Sequence, residues 1–494
     1  MRRLRAVAIF MAVLIPSFMT ALDNTVVNIA LPQIRAELAL TGTDLKWVAA
    51  AYPLTLASML LLGGHLADTI GRRATLLLGV ALFTVSSIGC STATGGTTLI
   101  AFRGLQGSGS ALILPSSLAV LSHDLPRRVR NAGFSAITAT LASALACGPV
   151  ISGVMTQHLG WSWLFAMNTP LGLMSLLVGS AAVPRSSRQS HVPRNPLTTV
   201  SLRVVALACF SLAASAYCLI EGPENGFSSV PVTISGIIAT ISVVVLSCEV
   251  ALGRSPALRL LFRQKPFTGG IITQMLWGLG VSGVYFFTSQ FFQNSLGLSP
   301  TSAGLSFTPV ALSLLVTAPF ISRLARRWGN GPISATGLLL VGLGLLMVAL
   351  GSSEDSLVHI LPGLSAIGCG SALAVPLTTR ALESSPNHLS GIAAGLFSAV
   401  REASGVFGIA FVGAVVTSVQ QAKASAGANP ADAFLSGYQA GLYVASALVA
   451  VGPPVALWAL RRHPGTADDA LSMARIGNES RRRYPSAKAQ PPPE

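Results

Sequence analysis

Gly64-His-Leu-Ala-Asp68-Thr-Ile-Gly71-Arg72-Arg73 separates two apolar runs, 46–66 and 74–93. Each run is long enough to be a bilayer-spanning helix, which needs about 20 residues. The joining stretch reads as a tight turn. Gly64 and Gly71 let the flanking helices close up, while Asp68 and Arg72 can pair in charge across a membrane face. Read for structure alone, it is a basic loop that fixes topology.

Outward from this turn the pattern repeats. Apolar segments lie at about 7–31, 46–66, 74–93, 97–120, 131–155, 161–183, 202–220, 229–252, 267–292, 303–322, 333–351, 357–379, 391–419 and 434–460. All fourteen must be helices, because a lone span in lipid has to satisfy its own backbone hydrogen bonds. With the N-terminus inside, cytoplasmic segments hold 27 of the 32 lysines and arginines. Only Arg35, Lys46 and Lys423 fall on the other side, and Arg103 and Arg401 lie within spans. That asymmetry predicts fourteen spans with both termini cytoplasmic. The Met-Arg-Arg-Leu-Arg start imitates a secretory signal, but the apolar run behind it is long enough to be an uncleaved span.

The 494 residues are 51% hydrophobic and only 10% charged, against about 25% charged in soluble domains. Mean hydropathy is +0.64. The net charge of +15 would raise nucleic acid as a partner, but the charges cluster between apolar runs, so none is expected. Cys90, Cys147, Cys209, Cys218, Cys248 and Cys369 all lie in apolar runs without a C-x-x-C pair; neither disulfide nor metal site is expected. No lysine follows a glycine as a phosphate-binding loop requires, so energy, where used, should come from an ion gradient rather than ATP, with no cofactor. An embedded enzyme or channel would need a polar catalytic cluster or pore ring, which the sparse charges do not supply.

Polar, Pro-rich loops at 184–200 and 253–266 bracket the seventh and eighth spans, leaving six helices on either side. The expected organisation is an N-terminal six-helix bundle over 1–183, linkers and two extra helices over 184–266, and a C-terminal six-helix bundle over 267–460. A disordered basic tail is expected over 461–494. Two six-helix repeats place substrate at their interface.

At the Gly64–Arg73 turn the chain resembles the major facilitator superfamily, whose signature there is G-x-L-a-D-r-x-G-r-r. Leu99-Ile-Ala-Phe-Arg103-Gly-Leu-Gln106-Gly107-Ser-Gly109 resembles its fourth-helix motif, and Gly148-Pro149-Val-Ile-Ser152-Gly153 its fifth-helix exporter motif. Leu22-Asp23-Asn24-Thr25-Val26-Val27-Asn28-Ile29-Ala30-Leu31-Pro32 is similar to a signature of the fourteen-helix drug:proton antiporters. So are Trp161-Ser-Trp163-x-Phe165-x-x-Asn168-x-Pro170, Leu296-Gly-Leu-Ser-Pro300-x-x-Ala303-Gly304 and Arg401-Glu402-x-x-Gly405-x-x-Gly408. The resemblance implies an all-α fold of fourteen helices, a six-plus-six core with two inserted helices. It implies proton-coupled export of a drug or antibiotic-like molecule, hydrophobic or amphipathic, and so resistance. A same-fold exporter of an amino acid, siderophore or osmolyte is the alternative. Arginine outnumbers lysine 28 to 4, a bias of high-G+C genomes that points to a bacterial cell membrane. A monomer is expected.

Departures from the motifs matter. Thr69 replaces a basic residue, and Arg326 stands where the second-half loop would carry Asp. A cytoplasmic gate is therefore expected in the first half alone, built from Gly64, Asp68, Gly71, Arg72, Arg73 and Asp124. Ala144 and Ser152 replace glycines and should loosen helix packing. A charge at mid-bilayer is functional by default, which singles out Asp23, Arg103, Arg401 and Glu402, with Asn24, Asn28 and Gln106 beside them. Asp23 is the expected proton carrier, with a structural hydrogen-bonding carboxyl as its rival reading. Arg401 and Glu402, being adjacent, should face different ways. Phe286, Phe287, Phe291 and Phe292 line either a cavity or a lipid-facing stripe.

Overall fold

The computed structural model describes residues 2–125, 127–184, 202–252, 255–354, 356–386 and 389–460. Most of the 184–200 linker and the whole 461–494 tail lie outside the described residues.

Among the described residues, fourteen helices are long and apolar enough to cross a membrane. The first six are α1 (Val7–Leu38), α2 (Gly42–Thr69), α3 (Arg72–Ser91), α4 (Gly96–Asp124), α5 (Ala132–His158) and α6 (Ser162–Ala182). Then come α7 (Arg203–Asn225) and α8 (Val230–Ala251). The last six are α9 (Lys265–Ser295), α10 (Pro300–Trp328), α11 (Asn330–Gly351), α12 (Leu357–Glu383), α13 (Ser390–Ser425) and α14 (Pro430–Ala459). Each expected span has its helix, generally longer than the apolar run that announced it.

Local chemistry explains several boundaries. Thr41 and Asp44 form a reciprocal cap, each side chain accepting from the other's backbone N–H at 3.1 and 3.0 Å. This capping box starts α2 at Gly42, before the apolar run. Lys46, expected at the outer edge of the second span, therefore sits a turn inside the helix and is buried. In α6 the helix breaks after Ala166 and resumes at Asn168. Pro170 accounts for this, since its ring clashes with the carbonyl four residues earlier. Near its end α9 widens into a π turn over Phe291–Ser295.

Helices α1–α6 pack on one another, as do α9–α14, and the two groups touch through α1 with α9, α2 with α13 and α5 with α10. The inserted pair lies against the α2–α13 seam, where Ala216 and Ile220 cluster with Ala50, Leu54, Val406 and Ala410. At one end of the molecule, marked by Arg35, the halves are pinned together. Ser289 Oγ donates to the Asn28 carbonyl at 2.8 Å and Gln293 Nε2 to that of Ile29 at 2.8 Å. Towards the other end, marked by Arg72, α5 and α10 instead leave Phe134, Leu145, Leu315 and Phe320 exposed.

Candidate functional site: a buried ion pair beside the interface

Asp23 points into the core of the first six helices, away from the second six. It is fully buried, and so is Arg103 of α4, whose guanidinium donates to its carboxylate. Gln106, one turn along α4, donates from Nε2 to Asp23 at 2.8 Å and accepts from Arg103 at 2.8 Å. Asn168, brought in by the break in α6, donates to the same carboxylate at 3.2 Å. Ser87 of α3 accepts from Gln106 at 2.9 Å. Arg103 also lies over the rings of Tyr52 and Phe165, at 4.6 and 5.7 Å. With the Val48 carbonyl of α2, which accepts from Arg103 at 3.4 Å, ion and hydrogen-bond partners come from five helices, an arrangement that offsets the cost of burying two charges.

Asn24, the next residue, faces the other way. Its Nδ2 donates to Glu402 of α13 at 3.0 Å, crossing from one half to the other. The Glu402 side chain is only 8% exposed, while Arg401 is 50% exposed and folds back to donate to it at 2.8 and 3.1 Å. Adjacency on the helix thus did not separate these two side chains as expected, because the long guanidinium reaches round to its neighbour. Asn28 is half-buried and enters the contact with α9 through its carbonyl.

Of the residues expected at a cytoplasmic gate, Arg72 and Asp124 are in contact. Asp124 accepts two hydrogen bonds from Arg72, at 2.6 and 2.5 Å, and Arg73 donates to the Ser180 carbonyl at 2.5 Å. Asp68 is exposed and lies outside this pairing. Thr69 turns its hydroxyl back on the His65 carbonyl at 2.9 Å. Gly64 lies beside Pro115 of α4, and Gly71 begins the following helix with a φ of +98°.

The fifth-helix motif is a close-packing surface. A Cβ on Gly153 would meet the Pro300 carbonyl oxygen at 2.4 Å, one on Gly304 would meet that of Pro149 at 2.3 Å, and one on Gly148 would meet Thr25 Oγ1 at 2.1 Å. Two motifs far apart in sequence therefore meet where the halves touch. Ser152, expected to loosen this packing, instead donates to the Val26 carbonyl of α1. Phe286, Phe287, Phe291 and Phe292 are all buried, so they form no lipid-facing stripe. Phe286 and Phe287 line a cavity, while Phe291 stacks on Tyr438 at 4.9 Å and Phe292 tilts on Phe307 at 5.5 Å. Sequence reasoning missed Ser87, Tyr52 and Phe165 as partners of the ion pair. Asn168 had a signal in the Trp161–Pro170 motif; Ser87 and Tyr52 had none.

A model of the Major Facilitator Superfamily matches residues 13–409. The chain is 32% identical over 404 residues to the multidrug resistance protein Stp of Mycobacterium tuberculosis, covering 81% of this chain and 74% of that one. It is 31% identical to the methylenomycin A resistance protein of Streptomyces coelicolor, covering 81% and 83%. To the tetracenomycin C resistance and export protein of Streptomyces glaucescens it is 29% identical, covering 83% and 75%. Among solved structures, an auto inhibited POT family peptide transporter superposes with a TM-score of 0.68 at 14% identity, over 93% of this chain and 97% of that one. At that identity the likeness is one of fold.

Proposed function

The chain belongs to the major facilitator superfamily, and from that premise we propose that it exports a drug- or antibiotic-like molecule across the cell membrane in exchange for protons. The cargo reading is supported by relatives named for multidrug resistance, methylenomycin A resistance and tetracenomycin C export. The observation that carries the coupling is the pair of neighbours on α1. Asp23 holds Arg103 inside one half while Asn24 holds Glu402 at the boundary with the other.

The Arg35 end is external in this reading, and the Arg72 end, where α5 and α10 expose their apolar faces, admits substrate from the cytoplasm. Proton uptake on Glu402 removes the charge that gathers Arg401. Uptake on Asp23 frees Arg103 from its partner and loosens α1 against α4. Either event alters the helix that meets both halves, so proton binding and the choice of open end are linked.

The test begins with inhibitory concentrations of an antibiotic panel in a pump-deleted host, which identifies a cargo. That cargo is then followed in proteoliposomes under an imposed pH gradient. Asp23→Asn and Glu402→Gln are each expected to abolish uphill accumulation while downhill flux persists. Wild-type accumulation in both variants would sink proton coupling at these carboxylates, and a panel without any shift would remove the drug reading.

A further inference from the structure

The structure assigns a second ligand site, lined by none of the ion-pair residues: we propose that the cavity around Lys46 at the Arg35 end binds a compact aromatic carboxylate that bridges the two halves. Its volume is about 350 Å³, within the range of small-molecule pockets. Three bodies form its walls. Arg35 and Lys46 come from the first half, Glu224 from the inserted pair, and Phe286, Phe287 and Gln290 from α9 of the second half. Arg35, Asn294 and Gln421 are exposed, so the cavity opens at that end.

Two buried polar groups there lack their full complement of partners. An ammonium carries three donors, yet Lys46, only 4% exposed, makes one hydrogen bond, to Thr417 Oγ1 at 3.2 Å. Its ion-pair partner Glu224 lies at 3.7 Å, beyond hydrogen-bonding distance. Gln290, 7% exposed as a residue, lines the cavity, and among the described residues its amide, which is open to the cavity, makes no hydrogen bond. A carboxylate in the cavity would accept from both.

Charge and shape set the ligand class. Arg35 and Lys46 line the cavity with one carboxylate, Glu224, while Glu221, which also acts on Lys46, is not part of the lining. The lining thus carries an excess of cations that suits an anion, and Phe286, Phe287 and Phe434 supply aromatic wall. An occupant touching both halves at their pinned end favours the conformation in which that end stays closed. Bound ligand therefore stabilises this state and raises the melting temperature.

The experiment is thermal unfolding of the purified, detergent-solubilised protein with millimolar benzoate, and with benzylamine as the same ring in cationic form. No gradient or cargo enters, so the result is independent of whether the chain exports drugs. Wild type is expected to melt a few degrees higher with benzoate and unchanged with benzylamine. Lys46→Met and Gln290→Leu should each lose the benzoate response, and Gln290→Leu decides the matter alone if Lys46→Met does not fold. No benzoate response in wild type, an equal response to benzylamine, or an undiminished response in Gln290→Leu would overturn the proposal.

Discussion

The α2–α3 turn and the α10–α11 turn are built on one backbone and carry different chemistry. Gly71 and Gly329 stand at the same place, immediately before α3 and α11, with φ, ψ of 98°, 143° and 87°, 158°. In the first half the turn is followed by Arg72, paired with Asp124. In the second half the turn is preceded by Arg323, Arg326 and Arg327, exposed and, among the described residues, without an ion pair. The interiors diverge in the same sense. The first half centres on Asp23, Arg103, Gln106 and Asn168; the second on Phe291, Tyr438 and Phe434, stacked in sequence. Glycine fixes the repeated turn, while side-chain chemistry has made one half ionic and the other aromatic.

The largest break in that contrast should come from Arg103→Met. It leaves Asp23 as a buried charge without its ionic partner, a loss of about 3–5 kcal/mol, read as a large fall in melting temperature in detergent. Asp23→Asn combined with Arg103→Gln should recover much of the loss, because no lone charge remains. A single variant that melts like wild type would mean that the ionic half is held by packing, as the aromatic half is.

Alanine at Gly71 and at Gly329 tests what the halves share. Both glycines occupy or border a region essentially closed to other residues, so each change should cost about 1–3 kcal/mol. Unequal losses, measured by the same thermal unfolding, would show that the two turns are not equivalent. The smallest effect is expected from Tyr438→Phe. It removes the 2.8 Å hydroxyl contact with Thr288 but keeps the ring stack, a loss of about 0.5–1.5 kcal/mol. A larger loss would place hydrogen bonding, rather than ring packing, at the centre of the second half.

Apolar run length and the basic loops sufficed to read fourteen helices, because lipid leaves the backbone one solution. The Asp23–Arg103–Gln106 cluster was legible in part, since intramembrane charges must find partners and only a few were present. What Asp23 and Asn24 divide between them was not legible: neighbouring residues on a helix look in different directions, but sequence does not say which half lies in each. The start of α2 at Gly42 was not legible, because hydropathy cannot see a capping box extend a helix past its apolar run. Glu402 and Arg401 were misjudged because a long guanidinium can reach round a helix that a shorter side chain could not.

The seat of α7 bears on how such a molecule can move. Trp47 donates to Glu221 at 2.7 Å, Lys46 pairs with Glu224 and Cys209 reaches the Ser58 carbonyl at 2.9 Å, all tying α7 to α2. Towards α13 it offers Ala216 and Ile220 to Val406 and Ala410, a smooth apolar contact. Polar ties hold a register, whereas apolar surfaces can shear. By its polar contacts the inserted α7 groups with the first six helices, although the sequence reads six, two and six. The covalent passage between these bodies falls after α8, where the short helix Pro256–Arg263 buries Ala257 and Leu261 against Phe267, Ala381 and Phe397 of the second half. The polypeptide passes from these eight helices to the other six once, at one edge, so any movement of one group on the other would leave the inserted pair with the first.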